Sequence, residues 1–445
     1  MNRLFAGING ATARLRSDER LLVICGSTVM VMAGQGIVGP VLPLYARNFN
    51  VSAAVVGLTF TAFGLARLLL NIPAGIWADR RGRRFLLVGG PMLTAVGMIG
   101  SGLAPTIWVL LGWRFVAGAG SALYMTGAQI YLIDIAGPEE RGRYIATNQG
   151  ALLLGVSAGP AIGGLMADAY GLRAPFLLVG GTATLTAIYG WLRLPETLNR
   201  GTAGESVSND LSAGNSPTDD PAIVGQSIGA SSPAKPKIDL SFFRSRQFVA
   251  VGLVSMAVFA IRGSRQTLIP LYSSEEFGLS TGQIGLLFTG IGVVGLVLIA
   301  PSGWLADNVG RKPVIVFAGY VAALGVAAVA FAPTTGFFVG ALMFSAMGTA
   351  IIGPAPAAFV ADIAPENQRG SAMGTYRTWG DLGIVLSPPL SGALADATEI
   401  PWALLVNGAL LVAAASWFLF AATDPAASDP APGAPPSDAP LPDRT

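Results

Sequence analysis

Six charged side chains stand inside otherwise apolar stretches: Arg67, Arg114, Arg262, Arg265, Arg377 and Asp381. A charge in hydrocarbon costs roughly 2.5–3.5 kcal/mol on insertion scales, so such residues face a cavity or one another and mark where ions or polar substrates are handled. Arg262, Arg265 and Gln266 are spaced i, i+3, i+4 and share one helical face. Arg377 and Asp381 lie one turn apart and can pair, as a neutralised structural ion pair or as a group that exchanges a proton when the pair separates. Arg67 precedes Asp79 by 12 residues, about 18 Å along a helix, which places it near the middle of a bilayer. Arg67, Arg262, Arg265 and Arg377 against one deep acid make a positive interior. Gln35, Gln149 and Trp379 are the further candidates for a polar cavity, and Phe60, Phe63, Tyr124 and Phe288 for its aromatic lining. The chemistry this set can do is binding and proton exchange. Zero His and one Cys (Cys25) rule out a zinc site, a thiol–imidazole pair and a Ser-His-Asp triad. No metal and no cofactor is expected, and no disulfide can form within the chain.

The elements that must position these residues repeat. GIWADRRGRR at 75–84 returns as GWLADNVGRK at 303–312. Gly75 and Gly303, Asp79 and Asp307, Gly82 and Gly310, and Arg83 and Arg311 all stand 228 residues apart. The same register joins Asp134 to Asp362, Arg141 to Arg369, Gly155 to Gly383, Pro160 to Pro388, Gly164 to Gly392 and Asp168 to Asp396. Residues 75–168 therefore match 303–396 without a gap. Two copies of one unit in an apolar chain are the mark of a transporter.

Composition agrees: 52% of the 445 residues are hydrophobic and 12% charged, where a soluble domain has about 25% charged. Apolar runs long enough to span a bilayer fall near 21–45, 53–77, 86–104, 107–133, 145–167 and 174–194. Six more fall near 248–272, 281–305, 313–332, 336–361, 371–395 and 402–422. The fold class expected is an all-α membrane protein of twelve transmembrane helices in two pseudo-symmetric bundles. Its parts are an N-terminal tail (1–20), a six-helix bundle (21–194), a largely disordered linker (195–247), a second bundle (248–422) and a disordered tail (423–445). The first run is too long for a cleavable signal and should remain as a span. Twenty of the 27 Lys and Arg fall in the tails, the linker and the even-to-odd loops, and two, Arg47 and Arg173, in the opposite loops. The excess places both termini in the cytoplasm. A net charge of +2 gives no reason to expect nucleic acid.

Two six-helix repeats with G-x-x-x-D-R-x-G-R-R after the second helix resemble the major facilitator superfamily. Within it, the chain is similar to the twelve-helix drug:proton antiporters. Gly75, Asp79, Arg80, Gly82, Arg83 and Arg84 carry the likeness, with Gly303, Asp307, Gly310, Arg311 and Lys312 as a weaker second copy. Arg114-x-x-x-Gly118-x-Gly120 matches the family's helix-4 arginine pattern, and Gly155-x-x-x-Gly159-Pro160-x-x-Gly163-Gly164 its helix-5 antiporter pattern. The resemblance implies that Asp79 and its loop form a conformational latch with Arg83, Asp134, Arg141, Asp307 and Arg311. It implies a part for Arg114 in proton coupling, against the plainer reading of hydrogen bonding to helix backbones. Gly155, Gly159 and Gly163 recur on one helix face and let a neighbour approach closely, and Pro160 permits a bend. The chain departs from the pattern in the first helix, where Gln35 stands and no acid.

The function expected is proton-coupled export of small amphiphilic organic compounds from a monomer in the plasma membrane. Its partners are the lipid bilayer, the small-molecule substrate and protons. The alternative is a transporter of a small organic anion using the positive cavity. A membrane-embedded enzyme is a poorer reading, because the residues for most catalytic chemistry are missing.

Overall fold

The computed structural model describes residues 2–137, 139–197 and 240–423. The linker residues 198–239 and the tail from 424 lie outside the described residues. Those described form helices and no strand.

The first half comprises α1 (Asn2–Val38), α2 (Val41–Arg47), α3 (Ala53–Arg81), α4 (Arg83–Gly102), α5 (Ile107–Ile135), α6 (Arg141–Tyr170) and α7 (Ala174–Arg193). The second comprises a short α8 (Leu240–Phe243), then α9 (Arg246–Glu275), α10 (Thr281–Asn308), α11 (Arg311–Ala330), α12 (Thr335–Ile351), α13 (Ala355–Ile363), α14 (Arg369–Ala397) and α15 (Ile400–Ala421). Helix α1 starts at Asn2, well before the span expected from 21. Among the described residues, eleven spans are long and apolar enough to cross a membrane. The twelfth is α14, of similar length but diluted by Arg377, Asp381, Pro388 and Pro389.

The repeat register survives in three dimensions. Helices α4 and α11 begin at Arg83 and Arg311 and end at Gly102 and Ala330, positions 228 apart. Ser52 and Ser280 each cap the following helix, and so do Thr106 and Thr334. These hydroxyls accept from first-turn N–H groups that have no partner within the helix. Gly82 and Gly310 carry φ of 97° and 102°, a backbone shape that favours glycine, so each sharp turn between helices depends on its missing Cβ.

Two interruptions break the register. The first span is cut at Gly39–Pro40, where its partner α9 runs on unbroken. The tenth is cut at 352–354, between α12 and α13, where α5 is continuous. Each cut contains a proline, which removes a helical N–H and frees a carbonyl one turn back.

Candidate functional site

The two halves meet near the ends of α6 and α14, on the side away from the 79–84 and 307–312 loops. We call this end the cap face and the other the loop face. Asp168, at the end of α6, accepts hydrogen bonds from Ser280 Oγ (2.7 Å) and the Gly282 N–H (2.9 Å), at the start of α10. Its repeat partner Asp396 accepts from the N–H groups of Ala53 (2.8 Å) and Ala54 (2.9 Å), at the start of α3. Each carboxylate sits on a helix N-terminus, where exposed N–H groups and the helix dipole favour an anion. Arg47 and Glu275 add an ion pair at 3.3 Å.

Below these caps, glycines allow backbone contact. A Cβ on Gly164 would strike the Thr281 carbonyl, and one on Gly392 the Ala53 carbonyl, which are repeat-equivalent collisions. Deeper still, Thr61 Oγ1 donates to the Val385 carbonyl (2.6 Å), which lacks its helical donor because Pro389 has no N–H. Thr289, the repeat partner of Thr61, accepts from the Ala161 N–H (2.9 Å) beside the kink at Pro160. The close contacts between halves reach Gly64 with Val385 and Gly292 with Ser157. Toward the loop face a Cβ on Gly75, Gly142, Gly150, Gly303, Gly370 or Gly374 would meet open space. The halves are closed at the cap face and apart at the loop face.

At the loop face each half carries its own ion network. Arg83 pairs with Asp134 at 2.8 Å and Asp79 at 3.5 Å, and donates to the Ala78 carbonyl. Arg311 pairs with Asp362 at 2.7 Å and Asp307 at 3.8 Å. The arginines are largely covered, whereas Asp79 and Asp307 are 73% and 71% exposed. Glu196 accepts from the N–H groups of Arg83 (2.9 Å) and Arg84 (3.2 Å), capping α4 and occupying the space a Cβ at Gly82 would need. Thr197 donates to Asp134 at 2.9 Å. Arg80 and Arg141 are exposed. Arg141 makes no ion pair within 4.0 Å among the described residues, so it stands apart from the Asp134 network expected to include it.

Between the halves lie two adjoining cavities that share Gln35, Gly39 and Gln266. One, about 220 Å³, is lined by Arg262, Arg265, Phe288 and Ile291. The other, about 140 Å³, is lined by Phe60, Phe63, Arg67, Arg114 and Ile384. Gln35 donates to Ser121 Oγ at 3.0 Å. Arg262 donates to the Thr349 carbonyl at 2.8 Å and stacks on Phe259. That carbonyl has lost its helical donor, because the Gly353 N–H turns back to Ala350 at the break. Arg265 Nη1 is buried with no hydrogen-bond partner among the described residues. Arg114 is buried, lies over the Phe63 ring at 4.7 Å and points its Nε at the Thr59 carbonyl at 3.5 Å. Gly118, one turn on, lets α5 approach the α3 backbone at Phe63.

Other candidates fall elsewhere. Arg377 and Asp381 do not come within 4.0 Å of each other, although both stand on α14 one turn apart. Asp381 is exposed where the halves part, and neither Arg377 nor Arg67 of the opposite half forms an ion pair with it within 4.0 Å among the described residues. Trp379 packs on Gly252 of α9, and Gln149 is exposed. Tyr124 lines neither of these two cavities: it is buried within the first half, bonded to Thr28 (2.9 Å). Gly155, Gly159 and Gly163 all face the first span, where added Cβ atoms would meet the carbonyls of Val29, Ala33 and Ile37.

Twelve spans in two repeat-related bundles around a central polar cavity define a membrane transporter of small molecules. The profile of the Major Facilitator Superfamily matches residues 24–264 and 254–443, and the chain belongs to that family. It is similar to Multidrug resistance protein 2 of Bacillus subtilis, 24% identical over 388 residues that cover 86% of this chain and 90% of the relative. It is also similar to the class C tetracycline resistance protein of Escherichia coli, 26% identical over 409 residues, 91% of this chain and 96% of the relative. In fold it resembles a bacterial homologue of the human lysosomal transporter Spinster in an inward-facing, occupied conformation. That likeness has a TM-score of 0.74 at 16% identity, over 91% of this chain and 96% of that one.

Proposed function

We propose that the chain exports small amphiphilic organic compounds in exchange for protons, as a monomer in the plasma membrane with both termini in the cytoplasm. The observation that carries this reading is the shape of the pathway. A central cavity lies beneath a sealed cap face, and the loop face is parted. The excess of Lys and Arg at the loop face supports a cytoplasmic placement for it, so the cavity would load from inside the cell. Relatives named for drug resistance support export. Asp381 is the coupling group in this reading. It stands on one half in the field of Arg67 on the other, so rocking the halves changes its surroundings and with them its hold on a proton. Asp79 and Asp307, exposed here, would engage the opposite half when the loop face closes, with Arg83 and Arg311 held ready by Asp134 and Asp362.

The test is flux in proteoliposomes under an imposed pH gradient, with tetracycline as the probe. Gradient-dependent accumulation is expected, slowed severalfold by Asp79→Asn with folding and insertion unchanged. Flux indifferent to the gradient would remove the proton from the account, and a normal rate for Asp79→Asn would reduce that residue to a topology marker.

A further inference from the structure

Arg262 and Arg265 lie one turn apart on α9 and differ in what they touch. The guanidinium of Arg262 closes the broken span by donating to the Thr349 carbonyl and rests on Phe259. Arg265 has no such employment. Its Nη1 is buried and without a hydrogen-bond partner among the described residues, and Arg262, of like sign, stands one turn away on the same helix. No acid, Asp381 included, forms an ion pair with it within 4.0 Å among the described residues. Buried cations are normally paired, since the interior does not replace the water they lose. An unpaired donor beside Gln35, Gln266 and the apolar wall of Phe288 and Ile291 is a seat for one negative group carried on an apolar body.

We propose that Arg265 is the recognition residue for the anionic group of the substrate, a carboxylate or sulfonate on an aromatic body whose apolar part lies against Phe288 and Ile291. This rests on the transport reading above and narrows it, from amphiphiles in general to anionic ones. A cationic drug would enter a site already holding two positive charges without a nearby acid.

The probes are 1-naphthylacetate and 1-naphthylmethylammonium, matched in ring and opposite in charge. Binding is measured by equilibrium dialysis on the full chain in phosphatidylcholine nanodiscs, and flux separately in phosphatidylcholine vesicles. The anion should bind at least about tenfold tighter than the cation. Arg265→Gln should weaken the anion by about 10- to 100-fold, the loss that accompanies one hydrogen bond to a charged group, and leave the cation unchanged or tighter. Arg265→Lys, which keeps the charge, should retain part of the anion affinity and guards against a folding artefact in the glutamine variant. Arg262→Gln should instead lower thermal stability, because the Thr349 carbonyl loses its donor. Equal binding of the two probes, binding of neither, or an Arg265→Gln variant indistinguishable from the parent overturns the inference. Anion binding abolished by exchanging phosphatidylcholine for phosphatidylglycerol would assign Arg265 to a lipid headgroup and overturn it too. Flux of the cation alone would sink the inference and leave the transporter standing. Anion binding without flux would do the reverse.

Discussion

The two halves of this protein agree in their joints and disagree in their cavity. Asp168 and Asp396, Thr61 and Thr289, Gly164 and Gly392, and Gly82 and Gly310 do matching work at positions 228 apart. Every charge in the membrane interior violates the same register. Arg67 stands opposite Gly295, Arg114 opposite Leu342, Arg262 opposite Gly34 and Arg265 opposite Ile37. Arg377 stands opposite Gln149 and Asp381 opposite Leu153. The helix breaks differ as well, in the first span of one half and the fourth of the other. Symmetry serves the movement, since two bundles that close on each other need matching seals. Asymmetry serves the cargo, since a substrate and a proton need particular groups in particular places.

The largest effects should come from the seals. Gly164→Val and Gly392→Val each drive a branched side chain into a backbone carbonyl of the opposite half, and neither carbonyl belongs to a flexible side chain that could yield. Both variants should fail to close the cap face and lose transport nearly completely, by similar amounts. Electron–electron distance measurements between spin labels at Tyr170→Cys and Leu279→Cys, in a Cys25→Ser background, would report the gap. A large defect from one and none from the other would break the symmetry of the seal.

A middle-sized effect is expected from the caps. Asp168→Asn and Asp396→Asn remove a charge that sits on a helix N-terminus, worth about 1–2 kcal/mol each. Each should shift the population toward an open cap face by roughly 5- to 30-fold, and the double variant further, as read by the same labels. No shift in either would mean that the cap contacts do not hold this state. The smallest effect belongs to the kink threonines. Thr61→Val and Thr289→Val should each cost about 1 kcal/mol of cap-face closure, one neutral hydrogen bond apiece. Unequal costs would sharpen the comparison, because Thr61 serves a carbonyl freed by proline and Thr289 an N–H beside one.

Much of the scaffold was legible in the sequence because it is written twice. Register alone predicts Asp362 as the partner of Arg311 from Asp134 and Arg83, although it formed no part of the expected latch. The breaks at Gly39–Pro40 and at 352–354 carry a Gly-Pro signal, yet both disappear inside apolar runs, since a non-helical turn within a membrane protein remains apolar when protein buries it. The cavity was legible only in its ingredients. Helical spacing placed Arg262 and Arg265 on one face, but it could not tell that one would mend a backbone break and the other remain unpaired. Nor could it find Glu196, whose role depends on the end of the sixth span folding back onto the start of α4. The spacing that allows Arg377 and Asp381 to pair made no ion pair within 4.0 Å among the described residues. Sequence spacing names neighbours along a helix and is silent on Arg67, which stands on a helix of the other half.

The central claim is that the asymmetric acid couples the symmetric machine. It is tested most directly by comparing gradient-driven accumulation with substrate counterflow in proteoliposomes holding Asp381→Asn, with Leu153→Asn at the repeat-equivalent position as the control. Asp381→Asn should lose accumulation driven by the pH gradient and keep a substantial part of counterflow, while Leu153→Asn keeps both. A stable Asp381→Asn protein that still accumulates substrate with the pH dependence of the parent would contradict the account.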